Sequence, residues 1–313
     1  MAYCLTSGFS DPAGASNPVT STDVLSTPLH LDSIDMRSSS TQGAPHTIRV
    51  WKRGGIRWEM HRYAPGPAGE HPRHAHETYQ VGYSPDFDGE YWYRGEHIPV
   101  PKGCVHVIHP GEVHAPRDPR PRSTPVRFPT AFIEPSLLCE AAAFQSVSDD
   151  SLPWLAPVIR DGEVARGFLR LMRASRAEGA LHASSLLHGF FASLLARHGQ
   201  GKKRRKGGDE HSAVQRVRDY LHAHLSSPVT LDDLGELAGL HPHYLSRVFR
   251  RDVGLPPYRY LTQVRVHEAA RRLADGDDIA AVALATGFSD QPHLTRHFKR
   301  LIGVTPGEYR PSA

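Results

Sequence analysis

The chain has 313 residues, 39% of them hydrophobic, a formal net charge of +4 and three cysteines, Cys4, Cys104 and Cys139. That length suits two domains, each with its own core, and cysteines so few and irregular exclude a disulfide framework or a cysteine zinc motif and point to a reducing compartment. No apolar run approaches ~18 residues and no basic-then-apolar leader is seen, so a cytoplasmic protein without a membrane partner is expected.

The charge is uneven. From Lys202 onward there are 18 Lys/Arg and 13 Asp/Glu, a local balance of +5, against −1 for the residues before it. An anionic partner for the C-terminal part follows, although a solvated basic surface gives the same count.

In chain order, residues 1–45 are rich in Ser, Thr, Pro and Gly without periodicity and predict a mobile tail. Residues 46–135 carry short alternating or apolar segments (Ile48–Trp51, Trp58–Tyr63, Thr78–Tyr83, Glu90–Tyr93, Cys104–Ile108, Phe128–Ile133) separated by Pro/Gly clusters. That spacing predicts a small sandwich or barrel. His74-Ala75-His76 places two histidines at i and i+2 on one strand face, and His114 follows a Pro-Gly turn. These stretches resemble the two signature segments of the cupin barrel. Carried over by position, that resemblance implies a metal held by His74, His76, Gln80 and His114; Gln is a weaker ligand than Glu, so no metal is the expectation. The same histidines would otherwise rim a pocket or bond to strand backbone. With Trp58, Tyr79, Tyr83 and Trp92 they are the expected lining of a small-molecule cavity.

Residues 136–198 read as helical. Leu187, Phe190, Phe191, Leu194 and Leu195 make one apolar stripe, which either packs on the barrel or forms a homodimer seam. Residues 199–210, GQGKKRRKGGDE, form a flexible linker whose Lys202–Lys206 run either touches phosphates or is a solvated tether.

Residues 211–313 predict an all-α domain. Thr230 and Asp233 make a capping box before Leu234, Leu237 and Ala238. Gly239 breaks that helix, and Pro242 opens the next, with Leu245, Val248 and Phe249 inward and His243, Ser246, Arg247 and Arg250 outward. The unit recurs: Asp278, Ile279, Val282 and Ala283, then Gly287, then a helix capped by Ser289 or Asp290. There Leu294, Phe298 and Leu301 face inward, leaving Gln291, His293, Arg296 and Lys299 outside. Two such units in tandem signal paired DNA-reading helices. The helix between them, Pro257–Ala274, would be about 27 Å long, near the ~34 Å between major grooves on one face of a duplex. Thr305 and Glu308 make a last capping box.

The stretch IAAVALATGFSD with HLTRHFKRLIGVTPGEYR, and the earlier LAGLHPHYLSRVFRRDVGLPPYRYLTQVRVHEA, resemble the AraC/XylS family of transcription regulators. RHAHETYQVGY and PGEVH extend the resemblance to the cupin-type sensor domain of many members. His241, Pro242 and Pro292 depart from the usual pattern. The resemblance implies an α+β multidomain chain: a cupin-like barrel with flanking helices, then two helix-turn-helix units on a linker helix. It implies a sequence-specific regulator of double-stranded DNA, more often an activator, which would engage RNA polymerase, answering to a small effector. By position, His243, Ser246 and Arg247 would face bases in one groove and Gln291, Pro292, His293 and Arg296 in the next, with Arg250 and Lys299 on phosphates. A metal-dependent cupin enzyme with a DNA-binding tail is the main alternative; no convincing catalytic acid stands near the histidines. An RNA-binding or scaffolding protein is the other, but no aromatic stacking motif of common RNA modules is seen.

Overall fold

The computed structural model describes residues 46–143, 154–176, 180–200 and 209–311; the tail 1–45 and the basic run Lys202–Lys206 lie outside these. The N-terminal domain begins with β1 (His46–Arg53), β2 (Ile56–Tyr63), β3 (Gly69–Glu70), β4 (Tyr79–Tyr83), β5 (Gly89–Tyr93) and β6 (Glu96–Val100). It continues with β7 (Val105–Ile108), β8 (His114–Asp118), β9 (Val126–Ile133), α1 (Pro135–Ala143), β10 (Trp154–Leu155), β11 (Val158–Ile159), α2 (Gly162–Ala174), α3 (Ala180–His198) and β12 (Gly199–Gln200).

The strands do not close. They form an antiparallel six-stranded sheet ordered β1-β2-β9-β4-β7-β11, a four-stranded sheet ordered β3-β8-β5-β6, and the small pair β10-β12. The expected cupin barrel is therefore corrected to two facing open sheets. A barrel needs its edge strands to pair, and β3 and β11 are two-residue edges, too short to continue a ladder. The other edge, β1, packs Ile48 and Val50 into the core of the C-terminal domain instead.

Strand alternation then sorts the larger sheet. Trp58, Met60, Tyr79, Val81, Tyr83, Val105 and Val107 face a helical layer built on Phe168, Leu169, Phe191 and Leu194. The opposite face looks toward the smaller sheet. The α3 stripe belongs to this core, with Leu187 4%, Phe191 1% and Leu194 0% exposed, so it packs within the chain and is not available as a dimer seam.

The C-terminal domain is all helical: α4 (Asp209–Ala223), α5 (Leu231–Ala238), α6 (Pro242–Val253), α7 (Pro257–Ala274), α8 (Ile279–Ala285), α9 (Gln291–Ile302) and α10 (Pro306–Tyr309). Its caps follow the sequence chemistry. Thr230 and Asp233 form a reciprocal capping box, and Asp278 and Asp290 accept the first backbone N–H groups of α8 and α9. Gly239, Gly254 and Gly303 end α5, α6 and α9 in the left-handed conformation, which costs glycine no Cβ clash. Two cores result. One packs Val217, Leu234, Leu245 and Phe249 on Tyr260 and Leu261 of α7; the other packs Val282, Leu294, Phe298 and Tyr309 on Val266, Ala270 and Leu273 of the same helix. The linker helix is thus buried on two sides, joining both units rigidly. Leu237 is 38% exposed.

Gly287 turns the chain between α8 and α9 at φ +81°, and a Cβ there would lie 2.5 Å from the Leu225 carbonyl oxygen. Gly287→Ala is expected to cost about 1–3 kcal/mol, read as a lower urea midpoint with an unchanged slope; an unshifted midpoint would show the turn can relax.

Candidate DNA interface and sensor cavity

Helices α6 and α9 are each amphipathic around a small buried stripe, Leu245, Val248 and Phe249 in one and Leu294 and Phe298 in the other. The opposite faces are open. His243, Arg247 and Arg250 are exposed on α6, with Ser246 half-buried; Gln291, Pro292, Arg296 and Lys299 are exposed on α9. His293 is partly buried: its Nδ1 is 3.0 Å from Ser289 Oγ, and its ring meets Phe288 and His297 edge-on at 5.3 and 4.9 Å between centroids. It therefore braces the first turn of α9 as well as facing outward. Arg247 lies over the Tyr244 ring at 5.4 Å, a stacking partner that sequence spacing alone did not single out.

Between the two sheets lies a cavity of about 120 Å³. Its wall from β2 carries Arg57, Glu59, His61 and Tyr63, and its far wall Tyr91 and Arg117. His74, expected as a lining residue, and Gln80, expected only as a candidate metal ligand, reach it; Trp58, Tyr79 and Tyr83 sit on the helix-covered face of the sheet instead, because side chains alternate along a strand. Trp92 packs against the first core of the C-terminal domain. Close approach at the sheet centre requires Gly82, where a Cβ would fall 2.3 Å from the His106 ring. The cavity is closed by His267 of α7 and by Leu301 and Ile302 at the end of α9. The shared helix α7 and the second recognition helix α9 thus both reach the sensor cavity.

The histidines converge. His74, His76 and His114 have ring centroids 4.2–6.2 Å apart, and His267 joins them at 5.7 Å from His74 and 5.4 Å from His76. Each sensor histidine donates its Nδ1–H to a backbone carbonyl: His74 to Pro72 at 2.9 Å, His76 to Thr78 at 2.9 Å and His114 to Glu112 at 3.0 Å. For His74 and His114 those bonds fix the tautomer that leaves Nε2 a lone pair. The Gln80 Oε1 atom lies 3.0 Å from His76 Nε2, while His114 Nε2 and His267 Nε2 have no hydrogen-bond partner among the described residues. Burial, then the neighbouring rings, lowers the pKa of His74 to about 4 and those of His114 and His267 well below their ordinary value. These are neutral imidazoles. Among the described residues, however, no three His, Cys, Asp or Glu side chains are placed to hold a metal ion. The set His74, His76, Gln80 and His114 does not fit one as arranged.

Polar contacts tie the domains together. Arg57 and Glu59 pair in the buried wall, and the Tyr309 hydroxyl of α10 bonds to both. Burial alone would raise the Glu59 carboxyl, but Arg57, together with His61 and Tyr309, holds it down at about 2. Glu77 accepts from Tyr260 at 2.8 Å and lies 3.3 Å from Arg218 and 3.0 Å from His222. Gln263 donates to the Arg73 carbonyl at 2.6 Å and accepts from Ala75 N–H at 3.2 Å. Sequence reasoning missed His267, Tyr309, Gln263 and Tyr260. Their only signal was a polar or phenolic group at a helix position otherwise due to be apolar.

An all-helical domain with two open-faced helix-turn-helix units on a shared helix, docked on a separate sensor cavity, defines a DNA-binding regulator. Residues 234–312 match a helix-turn-helix domain and 59–191 an AraC-like ligand binding domain. The HTH-type transcriptional activator RhaS of Yersinia pseudotuberculosis is 25% identical over 295 residues, covering 90% of this chain and 98% of that protein. RhaS of Pectobacterium carotovorum is 32% identical over 140 residues, 44% of this chain and 50% of its own. Two structures of ToxT from Vibrio cholerae, one of them with bound unsaturated fatty acid, share the fold. Their TM-scores are 0.56 and 0.54 at 9% and 10% identity, over 82% and 88% of this chain and 97% and 96% of theirs; so low an identity speaks for fold alone. The chain belongs to the AraC/XylS family of transcription regulators and is a sequence-specific DNA-binding protein. Among the described residues no helix is long and apolar enough to cross a membrane.

Proposed function

We propose that this regulator activates transcription in response to a small molecule held between the two sheets of residues 46–135. The carrying observation is the shared wall: His267, Leu301 and Ile302 of the C-terminal domain close a cavity otherwise built by the sensor. A ligand that fills it contacts both domains, so it binds one docking arrangement better than another and thereby shifts DNA affinity. The activator names of the relatives support the sign, and an activator of this kind would present a surface to RNA polymerase. Residues 211–313 read the DNA, His243, Ser246 and Arg247 in one major groove and Gln291, Pro292, His293 and Arg296 in the next. Arg250 and Lys299 hold phosphates. No metal is assigned to the sensor.

Arg247 and Arg296 are the strongest base-reading side chains, since guanidinium pairs in two-pronged fashion with guanine. Arg247→Ala and Arg296→Ala are each expected to weaken binding to a duplex selected from genomic fragments by about 1–3 kcal/mol and to relax preference at different base pairs. Equal losses on every sequence would reduce both to phosphate contacts and overturn the assignment.

A further inference from the structure

A second concavity, about 510 Å³, lies outside the sensor cavity. Its walls are Arg250 of α6, Tyr258, Arg259 and Thr262 of α7, His297 and Arg300 of α9, and the sensor loop at Pro72 and Arg73. We propose that this groove seats the DNA sugar-phosphate backbone between the two recognition helices, and that the sensor itself contributes Arg73 to it. The inference rests on the reading of α6 and α9 as recognition helices.

Charge carries the argument. Among the described residues no Asp or Glu lines the groove. Arg73, Arg250, Arg259 and Arg300 make no ion pair with a carboxylate among the described residues. Arginines on the flanks of the same helices are matched: Arg251 with Glu210 and Asp252, and Arg271 and Arg272 with Glu268. Four unmatched guanidinium groups around one concavity repel one another, and a polyanion relieves that repulsion. Tyr258, 67% exposed, adds a phenol at the rim, a group that donates to phosphate oxygens.

Position says which polyanion. At 3.6 residues per turn, Arg250 lies about 60° around α6 from Arg247, and Arg300 about 40° around α9 from Arg296. The groove therefore opens beside both base-reading faces, where a duplex spanning two major grooves turns its intervening backbone toward the protein. Arg73 is held at this edge. Its guanidinium stacks on Trp92 at 3.7 Å, and its loop is pinned to α7 by the two Gln263 hydrogen bonds. The sensor thus presents a cation to DNA in the docked arrangement, and a change of docking removes it.

The test uses the full chain, with fluorescence anisotropy over a salt series, on a duplex recovered by genomic selection and on a scrambled duplex of equal length. Arg73→Gln and Arg259→Gln are exposed changes, and each should reduce the slope of log K against log salt by about 0.9, equally on both duplexes. Arg271→Gln, on the matched flank of α7, should leave it unchanged. Wild-type slopes for both variants, with the wild-type preference for the selected duplex intact, overturn the groove assignment and leave the recognition helices standing. A wild-type chain that binds both duplexes alike overturns the recognition reading and this proposal with it.

Discussion

Arg57→Ala is expected to lower the free energy of unfolding by about 3–5 kcal/mol, the usual consequence of leaving one member of a buried ion pair without its partner. Glu59, 2% exposed, would then keep only His61, at 2.8 Å, and the Tyr309 hydroxyl. Its carboxyl, now held at about 2 against burial by Arg57 first, would rise toward protonation. Tyr309→Phe removes the link between β2 and α10 and should cost less, about 1–3 kcal/mol. The double change Arg57→Met with Glu59→Leu separates an ion pair from mere packing. It should recover most of the loss, because no buried charge is left unmatched. Urea unfolding of the three variants measures this; a double variant as weak as Arg57→Ala would show that shape, not charge, is what the wall requires.

Acid is expected to destabilise the folded chain well before its carboxylates titrate. Burial depresses His106 to about 3 and His74 to about 4, below the 6.5 of an unfolded histidine. Between those values the unfolded chain binds more protons than the folded one, so stability falls as pH drops from about 6.5. At pH 5 each of these two rings accounts for on the order of 2 kcal/mol, with His76, His114 and His267 acting in the same direction. Glu59 and Glu77, both held near 2, keep their contribution down to about pH 4.5 and lose it below. The two windows are thus distinct. Melting temperature should decline from pH 7 to 5, and His106→Gln should flatten that decline by up to one proton's worth, about 1.4 kcal/mol per pH unit. A melting temperature level across that range would mean the rings take up protons in the folded state as readily as in the unfolded one. His267 belongs to the DNA-binding domain, so the same protonation also weighs against docking α7 on the sensor.

Much of the C-terminal domain is local chemistry. Capping pairs such as Thr230–Asp233 and Thr305–Glu308, left-handed glycines at 239, 254 and 303, and a 3.6-residue stripe of Leu294 and Phe298 each act within a few residues. Helix positions, and with them the outward faces bearing Arg247 and Arg296, were therefore readable from the chain, down to the 18-residue span of α7. The strands of the sensor were equally readable, because alternation is local too. Their closure was not. Whether a sheet seals or stays open depends on what meets its edges, and here β1 meets α7 and α10 of a distant segment. The same limit governs the site. That Tyr79 and Tyr83 turn away from the cavity while Gln80 enters it depends on which face of β4 the helices cover. That His267, Leu301 and Tyr309 complete the sensor depends on docking across more than 150 residues of chain, recorded in no local pattern. Propensity, capping and periodicity are properties of neighbours in sequence. Edge coverage, buried charge pairing and a wall shared by two domains exist only once the chain has folded back on itself.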